Sequence, residues 1–335
     1  MSSRLLAIEA ALLLGAALLV WMIVSPPFGS SGDSGDAGGA LVSENSDGTG
    51  DETGDPPAGD DDDDDDSGDA PEPQDDGCAP PVSDESMRGN QILTYYGNPD
   101  SGLLGILGQL EPDELVARVN EHARTYNELN GFRGIQPGFH LVYMTAQAYE
   151  GNDGLYTRRL DKDQLEQYIQ LACENEFFIF LDLQLGRADM ETEIEKLLPY
   201  LRKSQVHLSL DPEFAMGPDE VPGQQIGQLD ASQINRAQQI LQDLVEENNL
   251  GDKVLIVHQF TDEMITNKDQ IENFPRVRLV IDMDGFGEGP TKLAKYRTYS
   301  APAEYGGIKI FFHQDTPLLT EQEILHVRPD VVIYQ

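Results

Sequence analysis

Three short stretches of this 335-residue chain set an aspartate two residues before a second acid or amide: Asp182-Leu-Gln184, Asp211-Pro-Glu213 and Asp282-Met-Asp284. Each closes an apolar run. On a strand, residues two apart share a face, so each pair predicts two polar groups aimed the same way from a strand end. Other apolar runs end on Tyr95 and Tyr96, on Tyr143 with Gln147 close behind, on His258 and Gln259, on His313 and Asp315, and on Tyr334 and Gln335. Taken singly, such a residue more often caps a turn or satisfies a core hydrogen bond. Several runs ending alike weaken that explanation, because clustered carboxylates raise one another's pKa and cost stability.

Three kinds of chemistry fit such a cluster. Glycoside hydrolysis needs one carboxyl protonated near neutral pH and another ionised. An ionised Asp211 would raise the pKa of Glu213 and keep it a proton donor, with Asp182 or Asp282 as the second carboxylate. Tyr96, Tyr143, Gln184, His258, Gln259, Asp284, His313 and Tyr334 are then the candidate substrate-binding residues. The only Trp, Trp21, lies in the apolar head, so sugar stacking falls to Tyr and Phe, Phe214 and Phe286 among them. Metal-dependent hydrolysis is the second reading, with Asp182, Asp211, His258, Asp282 and His313 around one or two divalent ions. No H-E-x-x-H or paired early-strand histidines support it, and the glycosidase reading requires neither metal nor cofactor. The third is a non-catalytic surface module that binds carbohydrate or cationic ligands. Ser/His/Asp catalysis lacks a G-x-S-x-G, and no phosphate-binding loop is present.

The elements that would position these residues alternate. Strands are expected at 91–97, 139–146, 177–184, 206–213, 253–260, 277–284, 308–315 and 331–335. Between most of them lie segments with apolar residues at helical spacing, such as "PDELVARVNEHARTYNEL" and "ASQINRAQQILQDLVEENN". Thr320 and Glu323 have capping-box spacing before the last of these. Eight strands with crossovers over about 245 residues predict a (β/α)8 TIM-type barrel, whose active sites lie at the C-terminal strand ends. A doubly wound sheet is the alternative, but no Gly-rich loop follows the first strand. No helix is expected after the eighth strand, and residues 79–90 are expected to cover the gap.

Upstream, "LLAIEAALLLGAALLVWMIV" is about twenty mostly apolar residues, enough to span a bilayer. Arg4 precedes it and no base follows until Arg88, so the positive-inside bias puts the N-terminus in the cytoplasm and the remainder outside. Residues 1–27 are therefore expected to form a single-pass membrane anchor, with a cleaved signal peptide and secretion as the alternative. Residues 28–87 read as a disordered Asp/Gly/Ser/Pro-rich linker, and 88–335 as the barrel domain. Of 60 acids, 20 fall between Ser30 and Met87, where no Lys or Arg occurs. Residues 88–335 remain acidic, with 39 acids against 21 bases, which argues against a nucleic-acid partner. An exported setting offers cell-wall or environmental polysaccharide instead. Two cysteines, Cys78 and Cys173, are compatible with one disulfide or with free thiols.

The strings "YYGNPDSGLLGILGQ", "LDLQLG", "LDPEF", "VHQFTDEMI", "VIDMDGFG" and the terminal "VIYQ" resemble a group of bacterial surface proteins described as lipoproteins or secreted proteins. The likeness spans nearly all of 91–335 and brings no established activity with it. The D-x-E of "LDPEF" is also similar to the motif of chitinase-like and lysozyme-like glycosidase barrels, a resemblance that implies Glu213 as general acid. The chain departs from the chitinase-like D-x-x-D-x-D-x-E, with Val206 and Ser209 where the first two acids would stand. It also has "TYYGNP" where lysozyme-like barrels carry a first-strand Asp.

Overall fold

The computed structural model describes residues 77–131 and 133–335. The expected anchor, and the linker as far as residue 76, lie outside the described residues. Among the described residues no helix is long and apolar enough to cross a membrane.

Eight parallel strands close on themselves: β1 (Asn90–Gly97), β2 (Gly134–Ala146), β3 (Phe178–Leu183), β4 (Val206–Leu210), β5 (Lys253–Gln259), β6 (Val277–Met283), β7 (Tyr305–Ile310) and β8 (Val331–Tyr334). Each pairs with its sequence neighbours, and β8 pairs with β1, which removes both sheet edges. Most crossovers are helical: α2 (Pro112–Asn130), α3 (Lys162–Glu174), α4 (Met190–Leu201), α5 (Ala231–Asn248), α6 (Gly289–Tyr299) and α7 (Glu321–His326). This is the TIM-type barrel that the alternation predicts. Between β5 and β6 no α-helix stands. Two 3-10 turns, Asp262–Met264 and Lys268–Gln270, stand there, and α5 packs against both strands.

Local chemistry explains the helix boundaries. Asp161, Asp189 and Asp230 accept hydrogen bonds from the first-turn amides of α3, α4 and α5. Thr320 and Glu323 form the anticipated capping box on α7. Pro199 does not stop α4, which continues to Leu201.

Alternate strand residues divide the core in two. Outward-facing residues such as Leu93, Phe139, Leu181, Leu208, Leu255 and Ile281 pack against the helices. Inward-facing Ile92, Phe178, Phe180, Val254, Ile256, Val280, Val331 and Ile333 fill the lower barrel, so it is a packed core rather than a pore.

The lower barrel is closed by residues that the sequence assigned partly to the linker. Ala79, Val82 and Met87 are buried in the inner cluster, and α1 (Asp84–Gly89) leads directly into β1. Val82 bridges Asp252, and Arg133 donates to the carbonyls of Met87 and Asn90. Residues 79–90 thus plug the bottom of the barrel instead of covering its flank after β8, and the folded region begins before residue 88. Apolar side chains spaced through "CAPPVSDESM" drive this, since each finds the open barrel base.

Cys78 and Cys173 form a disulfide that joins this plug to α3 across 95 residues of sequence. Closing so long a loop restricts the unfolded chain. Replacing Cys78 by Ser is therefore expected to lower stability by about 2–4 kcal/mol. Urea denaturation with and without reductant checks this: reductant should erase the difference between wild type and variant.

Candidate functional site

The upper barrel interior is polar. From β1 comes Tyr96, from β2 His140, and from β3 Asp182 with Gln184 just beyond the strand. β4 supplies Ser209, with Asp211 following it. β5 supplies His258, β6 Asp282 followed by Asp284, and β7 Lys309. All of these are buried. They converge because each stands at the inward parity of its strand, near the C-terminal end.

Glu213 arrives by a different route from the one the sequence suggests. Strand β4 stops at Leu210, since Pro212 has no N–H to continue the ladder. Residues Pro212–Phe214 form a 3-10 turn. The turn is held by the Phe214 amide on the Asp211 carbonyl, and by the Gly227 amide on the Glu213 carbonyl at 2.6 Å. Asp211 and Glu213 are therefore neighbours at the mouth without being alternate residues of one strand. Of the five acids in this cluster, only Glu213 is partly exposed.

One hydrogen-bonded chain organises the interior. Gln184 accepts from the Ala146 amide and donates to the Tyr96 hydroxyl, which donates to Asp182 Oδ2 at 2.9 Å. Asp182 Oδ1 stands 3.7 Å from His258 Nε2 and 3.9 Å from His140 Nε2. His258 Nδ1 lies 2.9 Å from Asp282 Oδ2, and Ser209 Oγ lies 3.1 Å from His258 Nε2. Above Tyr96, the Lys309 ammonium sits 3.5 Å from the ring centroid and donates to Asp284 Oδ2 at 3.0 Å.

These contacts set the charges. Burial opposes ionisation of Asp182, but His140 and His258 outweigh it and hold the carboxyl well below its usual range. Burial likewise disfavours a charged His258, yet Asp182 and Asp282 hold it protonated. His140 is pushed down to about 4 by burial and stays neutral. Burial works against the Lys309 charge too, but Asp284, Asp211, Asp282 and Asp182 together raise its pKa. The mouth carboxyls go the other way. Asp211 is raised to about 7, by burial first and then by Asp182 and Asp284. Glu213 is raised well above the usual carboxyl range by burial, Asp211 and Asp284. So Asp211 does raise the Glu213 pKa, but Asp211 is itself close to half-protonated at neutral pH rather than fully charged.

Four residues offered as substrate ligands lie elsewhere. His313 is exposed on the loop three residues beyond β7, which ends at Ile310 and not at 315. Its neighbour Asp315 is buried against Lys292 at 2.8 Å and accepts the Gly287 and Phe311 amides. Tyr334 points outward, its hydroxyl 2.7 Å from that of Tyr126 and its ring stacked on Phe312. Tyr143 packs into the helix-facing core, toward Arg159 and Glu193. Gln259 also faces out, accepting from Lys268 at 2.6 Å. In each case the residue sits one position off the inward parity, or past the strand end.

Two central residues, Lys309 and His140, were not among the sequence candidates. Both carried a signal: they lie at inward parity inside apolar runs, in "IKI" and "FHLV". Five acids aimed at one interior also require a buried cation. Arg133, Arg158 and Arg187 do not provide it. They bind Asp330, Asp100 and the Glu220 carbonyl, respectively.

A glycine makes room for Asp282. Gly307 of β7 faces it across the ladder, and a Cβ there would lie 2.7 Å from Asp282 Oδ1 and 3.0 Å from its Cβ. Gly307→Ala is expected to force the carboxyl off His258 and to cost about 1–3 kcal/mol by overpacking. An unchanged melting temperature in that variant would show that Asp282 can move without penalty.

No protein-family model matches the chain, and no curated protein sequence matches it. Among solved structures, a hyperthermophilic endo-β-1,4-glucanase in complex with substrate matches with a TM-score of 0.39 at 9% identity, covering 75% of this chain and 91% of that one. The barrel assignment rests on the strand pairings themselves, not on that likeness.

Proposed function

We propose that this barrel hydrolyses glycosidic bonds in a polysaccharide, with Glu213 delivering the proton to the leaving oxygen. The observation that carries the proposal is placement. Glu213 is the one partly exposed residue of an otherwise buried five-acid cluster at the C-terminal end of a TIM-type barrel, where active sites of such barrels lie. Its environment favours the protonated form at neutral pH, as a general acid requires. Asp284, held by Lys309, stands as the partner carboxylate at the mouth. Asp182 and Asp282 belong to the layer beneath, where they hold His258 and the polar network instead of touching sugar. Tyr96 and Gln184 orient that network, while Phe214 and Phe286, both partly exposed, supply apolar surface at the rim.

The same reading places the domain outside the cell, tethered through residues 1–27, with cell-wall or environmental glycan as its substrate. The Cys78–Cys173 disulfide supports an oxidising compartment.

The test is release of reducing ends by the full chain from β-glucans, α-glucans, chitin and peptidoglycan. Turnover on at least one is the expected result. No release from any of them, across pH 4 to 8, would remove the proposal (the range spans ordinary carboxyl and histidine titration, roughly).

A further inference from the structure

Deeper than Glu213, three atoms from three strands face one another. His140 Nε2, His258 Nε2 and Asp182 Oδ1 are separated by 3.3, 3.7 and 3.9 Å. A single point in their plane lies about 2.1 Å from all three, which is the bond length that zinc makes to imidazole nitrogen and carboxylate oxygen. We propose that His140, His258 and Asp182 bind a divalent transition-metal ion of the zinc class. The site shares Asp182 and His258 with the layer beneath Glu213, and does not depend on the glycosidase reading.

Two further observations point to a ligand here. Asp182 is fully buried, and its Oδ1, the atom aimed at the gap, has no hydrogen-bond partner. A buried carboxylate oxygen left unsatisfied is costly, and an ion would satisfy it. The surroundings also have the form that metal sites use. His258 presents its other nitrogen, Nδ1, to Asp282 at 2.9 Å, and Asp182 Oδ2 accepts from the Tyr96 hydroxyl. Such carboxylate–histidine and hydroxyl–carboxylate contacts fix ligand orientation and tautomer. Ser209 Oγ also contacts His258 Nε2 at 3.1 Å, a contact that coordination through this nitrogen would replace. His140 Nδ1 has no partner, which makes His140 the least firmly oriented ligand.

A neighbouring group, His258 with Asp282 and Asp284, also brings three donors together. Its place for a cation is already taken: Lys309 binds Asp284 Oδ2, and His258 Nδ1 binds Asp282 Oδ2. In the first group the gap holds only the proton shared between His258 Nε2 and His140 Nε2, 3.3 Å apart, and an ion bound there would displace it. Two imidazoles and one carboxylate favour zinc, cobalt or nickel over calcium and magnesium, which prefer all-oxygen shells.

The experiment uses the full chain, stripped with chelator and titrated with cobalt(II) and then zinc. The expected result is the intense visible d–d absorption of a cobalt centre with fewer than six ligands at one equivalent, its loss on adding zinc, and a rise in melting temperature with either ion. His140→Gln and Asp182→Asn should each lose the absorption and the thermal gain. The aspartate run at 60–66 can bind cations only through oxygen, so it cannot give this spectrum. Absence of the absorption in wild type would overturn the site whether or not the variants fold, as would its retention in a folded His140→Gln.

Discussion

Replacing Glu213 by glutamine is expected to lower kcat on any glycan the wild-type chain cleaves by about 10²–10⁴-fold, the usual contribution of a general acid. Glutamine keeps the size and the hydrogen-bonding shape but cannot deliver a proton to a departing oxygen. KM should change little, because substrate binding at the rim is retained. The loss should shrink on aryl glycosides whose phenol leaving groups need no protonation, a pattern that a merely structural role would not produce. The alkaline limb of the wild-type pH–rate profile, set by ionisation of Glu213, should also disappear. The variant should fold at least as stably as wild type, since a carboxyl crowded by Asp211 and Asp284 is removed. Retention of activity on unactivated glycans within a few-fold would show that Glu213 is not the acid.

Replacing Lys309 by methionine should have the largest effect on stability. Methionine can occupy the same space over the Tyr96 ring, so the substitution chiefly removes charge. It leaves Asp284 without its ion pair and strips Asp211 of a cation that opposes its upward shift. Breaking one side of a buried ion pair typically costs about 3–5 kcal/mol. The pH dependence has a definite sign. Asp211 titrates near 4 when unfolded and at about 7 in the fold, so the folded state binds its proton more tightly. Stability from that proton is complete below pH 4 and is lost as pH rises through 7. Without Lys309, Asp211 climbs further and the loss deepens. The gap between wild type and variant should therefore be widest above pH 7 and narrow toward pH 4. Urea denaturation at several pH values measures it, and a gap that is flat with pH would mean that Lys309 does not govern these carboxyls.

The barrel was legible from its alternation of β-rich and helical segments, because parallel strands buried on both faces leave long apolar runs between amphipathic helices. The convergence of Asp182, Asp211, His258, Asp282 and Asp284 was legible from those runs ending alike. What failed was the exact reach of each strand. Reading 206–213 as one strand placed Glu213 on a ladder that Pro212 interrupts, and reading 308–315 as one carried His313 into a site it does not enter. A shift of one residue reverses the face, which is why Tyr334, Tyr143 and Gln259 turned outward while Tyr96 and His258 turned in. Lys309 was hidden for another reason. A lone lysine ordinarily lies in water, and only the sum of the surrounding acids shows that this one must be buried.

The disulfide at Cys78 has a mechanical meaning. Among the described residues, a pull on the chain at Gly77 meets that cysteine first, and passes through sulfur into α3. Residues 79–89 and strand β1 lie beyond this branch point and are bypassed. Tension that would otherwise peel the barrel open from its base, strand by strand, is instead carried by a covalent bond into the middle of the sequence.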